Sequence, residues 1–248
     1  MSIEEFEKMF HKYLLEMNIE LNQEKIEKFY QYMQLLLEWN EKINLTAITK
    51  PEEIILKHFV DSLTIAKYIK EKETIIDIGT GAGFPGIPIK IYRENSKVIL
   101  VDSLNKRVNF LNTVIKELKL EDIETIHSRA EELGRNKNYR EKFDIVTSRA
   151  VANLSTLSEY LLPFAKKDGK CICMKGSDIE EELENGKNAI KVLGGKIDNI
   201  DEFLLPDSEM KRNIIIIRKE KETSNQYPRK AGTPAKEPCL LYTSTLPT

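Results

Sequence analysis

A chain of 248 residues with 41% hydrophobic residues, 31% charged residues and a formal net charge of −2 has room for one large domain with an appendage. No apolar run approaches the roughly 20 residues of a membrane span, and the N-terminus MSIEEFEKMF is acidic and amphipathic, unlike a leader. The three cysteines have neither disulfide-framework nor metal-ligand spacing, so a reducing cytoplasm without membrane or bound metal is expected, and any pull toward nucleic acid has to be local.

The first seventy residues read as helical. Phe6, Met9, Phe10, Tyr13, Leu14 and Met17 recur at three- and four-residue spacing, and a second run extends from Ile26 to Trp39. NEKINLTAITKPEE interrupts it. Pro51 then starts a third helix carrying Ile54, Ile55, Phe59, Leu63 and Ile65. From residue 74 strands and helices alternate. TIIDI, KVILVD, IETIHS, FDIVTSRA and GKCICMK are strands, with Cys171 and Cys173 as core thiols on the last. PGIPIKIY, NKRVNFLNTVIKEL, NLSTLSEYLLPFA and DIEEELENGKNAIKVL are helices. GKIDNIDEFLL and NIIIIRK follow with no helix between them. The pattern implies a doubly wound, mostly parallel α/β sheet closed by an antiparallel hairpin. After Lys219 the chain is polar, rich in Pro and Gly, and aperiodic, as a loop or tail would be. The expected division is a helical cap at 1–72, a ligand-binding sheet domain at 73–219, a basic tail at 220–238, and a patternless stretch at 239–248 that reads as a non-native extension.

The stretch IIDIGTGAGFPGIP holds four of the eleven glycines directly after a strand. A ligand can approach the backbone closely there, and open α/β sheets bind ligands at this edge. Gly81, Gly83 and Gly86 fit the dinucleotide pattern G-x-G-x-x-G, a weak signal alone. Asp77, Gly79, Gly81 and Gly83 fit acid-x-Gly-x-Gly-x-Gly better. This resembles motif I of the class I S-adenosylmethionine-dependent methyltransferases. Asp102 closes the second strand, where a carboxylate can accept hydrogen bonds from ribose hydroxyls. The terminal hairpin also fits a class I methyltransferase and is unusual for a nicotinamide domain.

A narrower resemblance rests on EWNEKINLTAI, HFVDSL, DIGTGAGFPGIP, RAEEL, SRAV, MKG and YPRKAGTPAKEP, in order from residue 38 to residue 238. With these the chain resembles the RsmG (GidB) family, bacterial enzymes that methylate N7 of a guanosine in 16S ribosomal RNA. The resemblance implies S-adenosylmethionine as cofactor. It implies cofactor contacts at Gly79, Phe84, Asp102, Ala130, Glu131 and Arg149, and puts His58 and Asp61 at the mouth of the site, so Arg149, His58 and Asp61 are the candidate catalytic residues. RNA contact falls to Arg229, Lys230 and Lys236 in the basic tail, with Arg218, Lys219 and Lys221 just before it. The expected partner is 16S RNA or the small ribosomal subunit, met by a monomer. His11 and His127 are expected to be structural.

Guanine N7 has a free lone pair and no proton at neutral pH. Its methylation demands alignment and exclusion of water rather than a general base. That accords with the lack of any Ser-His-Asp or Cys-His set in the sequence. Two alternatives stay open on the residues alone: a class I methyltransferase for a small molecule or protein, and a cofactor-binding module without catalysis.

Overall fold

The computed structural model describes residues 1–239. Strands β1 (Thr74–Ile78), β2 (Lys97–Asp102), β3 (Ile123–His127), β4 (Phe143–Arg149) and β5 (Ala165–Lys175) run parallel. β6 (Gly195–Leu204) and β7 (Lys211–Lys219) form a hairpin, and β7 inserts antiparallel beside β5. The order β3-β2-β1-β4-β5-β7-β6 places the connections from β1 and β4 on opposite sides of a switch point at the carboxyl end of β1. The glycine turn begins there.

Alternation along each strand divides the core into two layers. Ile75, Ile172, Met174, Ile214 and Ile216 face one side, and Ile76, Ile78, Cys171, Cys173, Ile215 and Ile217 the other. Helices α8 (Leu154–Leu161) and α9 (Glu180–Val192) cover the second side. The first side is covered by α5 (Gly86–Tyr92), α6 (Asn105–Glu117) and the helices before the sheet. Among these, α1 (Ile3–Glu16) is entered through a capping box between Ser2 and Glu5. Helix α2 (Gln23–Ile43) buries Ile26, Phe29, Tyr32, Met33 and Leu36 along one stripe. The 1–72 segment thus shares one continuous core with the sheet.

Three details differ from the sequence reading. The third helix is interrupted: α3 (Pro51–Ile54) widens into a π-helical turn over Ile55–Val60 and narrows again in α4 (Asp61–Leu63). Such turns recur at functional sites because they re-aim side chains that a regular helix would space evenly. β5 begins at Ala165, four residues before GKCICMK. The segment after Lys219 is a docked strap rather than a loose tail. Lys219 is fully buried, its ammonium donating to Leu162 O and Thr223 Oγ1 at 2.6 Å and pairing with Glu141 at 3.0 Å. Arg140 donates to the carbonyls of Thr223 and Tyr227 at 2.6 and 2.8 Å. The strap closes in a short helix, α10 (Thr233–Lys236). Apart from Cys239, the stretch expected to be a non-native extension lies outside the described residues.

Candidate active site

The turn after β1 is pinned by its own backbone. Gly79 and Thr80 donate to Val101 O at 2.9 and 3.0 Å, fastening the turn to the end of β2. Asp77 is fully buried behind it and accepts from Thr80 Oγ1 at 2.7 Å and Gly86 N at 2.8 Å. Its position is that of a strut shaping the turn. Burial raises its pKa to about 6, against the opposing pull of those hydrogen bonds. Gly81 has a φ of +63°, and a Cβ there would meet nothing within 4 Å, so it opens onto a cavity. At Gly83 a Cβ would strike Ile87 and the Tyr32 hydroxyl at 2.6 Å, so this glycine answers to packing.

Three contiguous hollows follow the carboxyl edge of the sheet. The middle one, about 410 Å³, is lined by Gly79, Gly81, Phe84, Asp102, His58 and Arg149. A smaller hollow of about 220 Å³ shares Gly79 and Asp102 with it and is walled by Ala130, Glu131 and Tyr160. Ala130 and Glu131 belong to α7 (Ala130–Leu133). The third, about 440 Å³, shares His58 and Arg149 and adds Asp61, Lys57, Lys175 and Arg212. Asp102 stands between the first two, accepting from Gly81 N and Leu104 N at 2.9 Å each. Arg107 approaches it at 3.4 Å.

At the junction of the middle and third hollows lies a polar network centred on Arg149. Its Nη1 donates to Lys57 O at 2.9 Å and to Asp61 Oδ2 at 3.2 Å, and its Nη2 donates to His58 Nδ1 at 2.9 Å. The guanidinium lies 5.0 Å from the centre of the Phe84 ring. His58 stacks on the same ring at 4.4 Å and 15°. Burial first, and the charge of Arg149 second, lower the His58 pKa to about 3. The imidazole is therefore neutral, and because Nδ1 accepts from Arg149, its proton sits on Nε2 facing Thr46 Oγ1 at 2.9 Å. Asp61 is buried and also accepts from Arg212 Nε at 3.1 Å.

Of the residues picked out in the sequence, Gly79, Gly81, Phe84, Asp102, Ala130, Glu131, His58, Asp61 and Arg149 are brought together along this edge. Lys230 and Lys236 are exposed on the strap. Arg229, expected among the RNA-contacting cations, forks onto Glu159 with contacts of 2.7–3.1 Å and is no free cation. Lys219 is likewise consumed by its buried partners. Thr46, Lys175 and Arg212 were not read from the sequence. Arg212 sits in an apolar hairpin strand 151 positions from its partner Asp61, with no local pattern to mark it.

Comparison with known proteins gives a consistent picture. The family described as rRNA small subunit methyltransferase G, GidB, matches residues 25–215. A protein of Acetivibrio thermocellus named ribosomal RNA small subunit methyltransferase G is 56% identical over 89% of this chain and 91% of its own length. One of the same name from Clostridium novyi is 51% identical over 90% and 93%. Among solved structures, an S-adenosylmethionine-dependent methyltransferase from Aquifex aeolicus aligns with a TM-score of 0.53 at 18% identity, covering 70% of this chain and 96% of that one. A putative transferase from Pyrococcus horikoshii aligns with the same TM-score, covering 65% and 63%. These two likenesses establish the class I methyltransferase fold, and the extent and identity of the sequence matches establish that the chain belongs to the family of ribosomal RNA small subunit methyltransferase G.

Proposed function

We propose that this enzyme transfers a methyl group from S-adenosylmethionine to N7 of a guanosine in 16S ribosomal RNA. The observation that carries the choice of acceptor is the state of His58. Its Nδ1 lone pair is occupied by Arg149 and its other nitrogen carries the proton, so the one histidine at the site has no free base to offer. A nucleophile already deprotonated suits such a site, and guanine N7 is one.

The residues present fit the methyl donor. Gly81 leaves backbone and open space at the middle hollow, and Asp102 presents a carboxylate between that hollow and the smaller one. Gly79 and Gly81 would hold the amino-acid end, Asp102 the ribose hydroxyls, and Ala130 with Tyr160 the adenine. When bound, S-adenosylmethionine supplies an electrophilic methyl on its sulfonium. The chain's own residues then do two things. His58 and Arg149, both packed on the Phe84 ring of the middle hollow, give a stiff wall between the middle and third hollows. Arg149 is fixed by three acceptors, so it holds that wall with little freedom to reorganise.

The third hollow suits a nucleotide. Lys57, Arg149, Lys175 and Arg212 line it, with Lys57 paired to Glu53, Lys175 to Glu182 and both arginines to Asp61. Lys230 and Lys236 add charge on the strap. The test is methyl transfer from tritiated cofactor to small-subunit RNA of a strain lacking the gene, followed by nucleoside mass spectrometry. Labelled 7-methylguanosine is the expected product. Label on an exocyclic amine, a ribose hydroxyl or protein would overturn the assignment.

A further inference from the structure

We infer that Arg229 and Glu159 form a positioning brace that holds the adenine-side wall of the cofactor hollow, and that Arg229 acts through Glu159 rather than on RNA. The inference rests on the cofactor reading above. Glu159 lies on α8 and is 0% exposed. Among the described residues its carboxylate is satisfied wholly by Arg229. The backbone N–H donates to Oε1 at 2.7 Å, Nε reaches both oxygens at 3.0 and 3.1 Å, and Nη2 donates to Oε2 at 2.7 Å. A carboxylate this buried is held in place by its one fork-shaped partner.

The pair fixes more than itself. Three residues along the strap, Gly232 N donates to Glu131 Oε1 at 2.8 Å, and Glu131 is buried on α7. Two residues further, Pro234 O accepts from Thr156 Oγ1 on α8 at 3.1 Å. Residues 229–234 therefore staple α7 to α8. Those helices supply Ala130, Glu131 and Tyr160, one wall of the 220 Å³ hollow. Tyr160 directly follows Glu159, so a shift of the brace moves that side chain and releases Glu131 together.

Arg229→Lys keeps the charge and loses the fork, so it is the variant expected to fold. Titration calorimetry with S-adenosylhomocysteine should show its affinity weakened roughly five- to tenfold, while the rate with cofactor and RNA both saturating stays near the parent's. The salt dependence of RNA binding should be unchanged. In a cycle of Arg229→Gln, Glu159→Gln and the double variant, the losses of S-adenosylhomocysteine affinity should be non-additive, the double costing less than the sum. Two results would overturn the brace: parent-like S-adenosylhomocysteine affinity in Arg229→Lys, or a salt slope shallower by about 0.7–0.9, the mark of a lost phosphate contact. Failure of the unmodified chain to bind S-adenosylhomocysteine would overturn the cofactor reading and the brace with it, whereas intact parent binding isolates any failure to the brace.

Discussion

At Gly81 the backbone has a φ of +63° and faces open cavity, a pairing found at no other glycine of the turn. Gly81→Val would place a β-branched side chain in disfavoured backbone geometry and in the ligand's space. S-adenosylhomocysteine binding should disappear on calorimetry while the circular dichroism spectrum persists. The same turn carries a pH prediction. Asp77 has its pKa raised to about 6, so falling pH protonates it and weakens the acceptor holding Thr80 and Gly86. Cofactor affinity should therefore fall below about pH 6, and Asp77→Asn should flatten that limb at a lower affinity. His58, lowered to about 3, should contribute no limb near its ordinary value of about 6.5. Single-turnover rates at saturating ligands should stay flat through that range in the parent and in His58→Gln, and a step near 6.5 lost in His58→Gln would identify a general base. Residues in the turn were legible in the sequence because their constraint is local: an acid and glycines two apart describe one loop. Arg212 and Thr46 were not, since each acquires its role from a partner fixed by tertiary packing.

Among the elements, the helices ahead of the sheet do more than cover it. A chain of ring contacts leads from Phe10 to Phe29 at 4.9 Å, to Phe59 at 5.2 Å, to Tyr32 at 5.4 Å, and to Phe84 at 5.4 Å. Phe84 then stacks on His58. The Tyr32 hydroxyl donates to Ala82 O in the glycine turn. α2 is thus a buttress, and Leu45 and Thr46, just beyond its end, reach the middle hollow. Phe59→Ala should cost about 3–5 kcal/mol of stability by urea denaturation, the range for deleting a buried aromatic. Because one core spans these helices and the sheet, far-UV signal and Trp39 fluorescence should lose their structure at one shared midpoint in parent and variant. Separate midpoints would mean that the first 72 residues fold as an independent unit. The strand-helix alternation was readable from periodicity because helices such as α6 and α9 carry one apolar stripe. The π-helical turn was not, because an extra residue in a turn leaves the composition of HFVDSL unchanged.

Over the whole molecule, a net charge of −2 gives no attraction to RNA at long range, so affinity depends on where the cations stand. Four of them line the third hollow, and the strap carries Lys230 and Lys236 on its exposed side while burying Lys219 and engaging Arg229. The sequence showed a cluster of positive charge after residue 218 but not its division, because the deciding carboxylates, Glu141 and Glu159, come from distant parts of the chain. The division makes the RNA contribution separable. If Lys230 and Lys236 each neutralise a phosphate, changing both to Ala should reduce the slope of log affinity against log salt by about 0.7–0.9 per residue. At fixed low salt the loss of RNA affinity should be uniform across RNA sequences, since phosphate contacts carry no base information. Affinity for S-adenosylhomocysteine should stay near the parent's, because neither ammonium lines the cofactor hollows. Filter binding of small-subunit RNA from 50 to 300 mM salt, run beside calorimetry of the same preparations, makes the measurement. An unchanged slope would show that the two lysines are solvated bystanders.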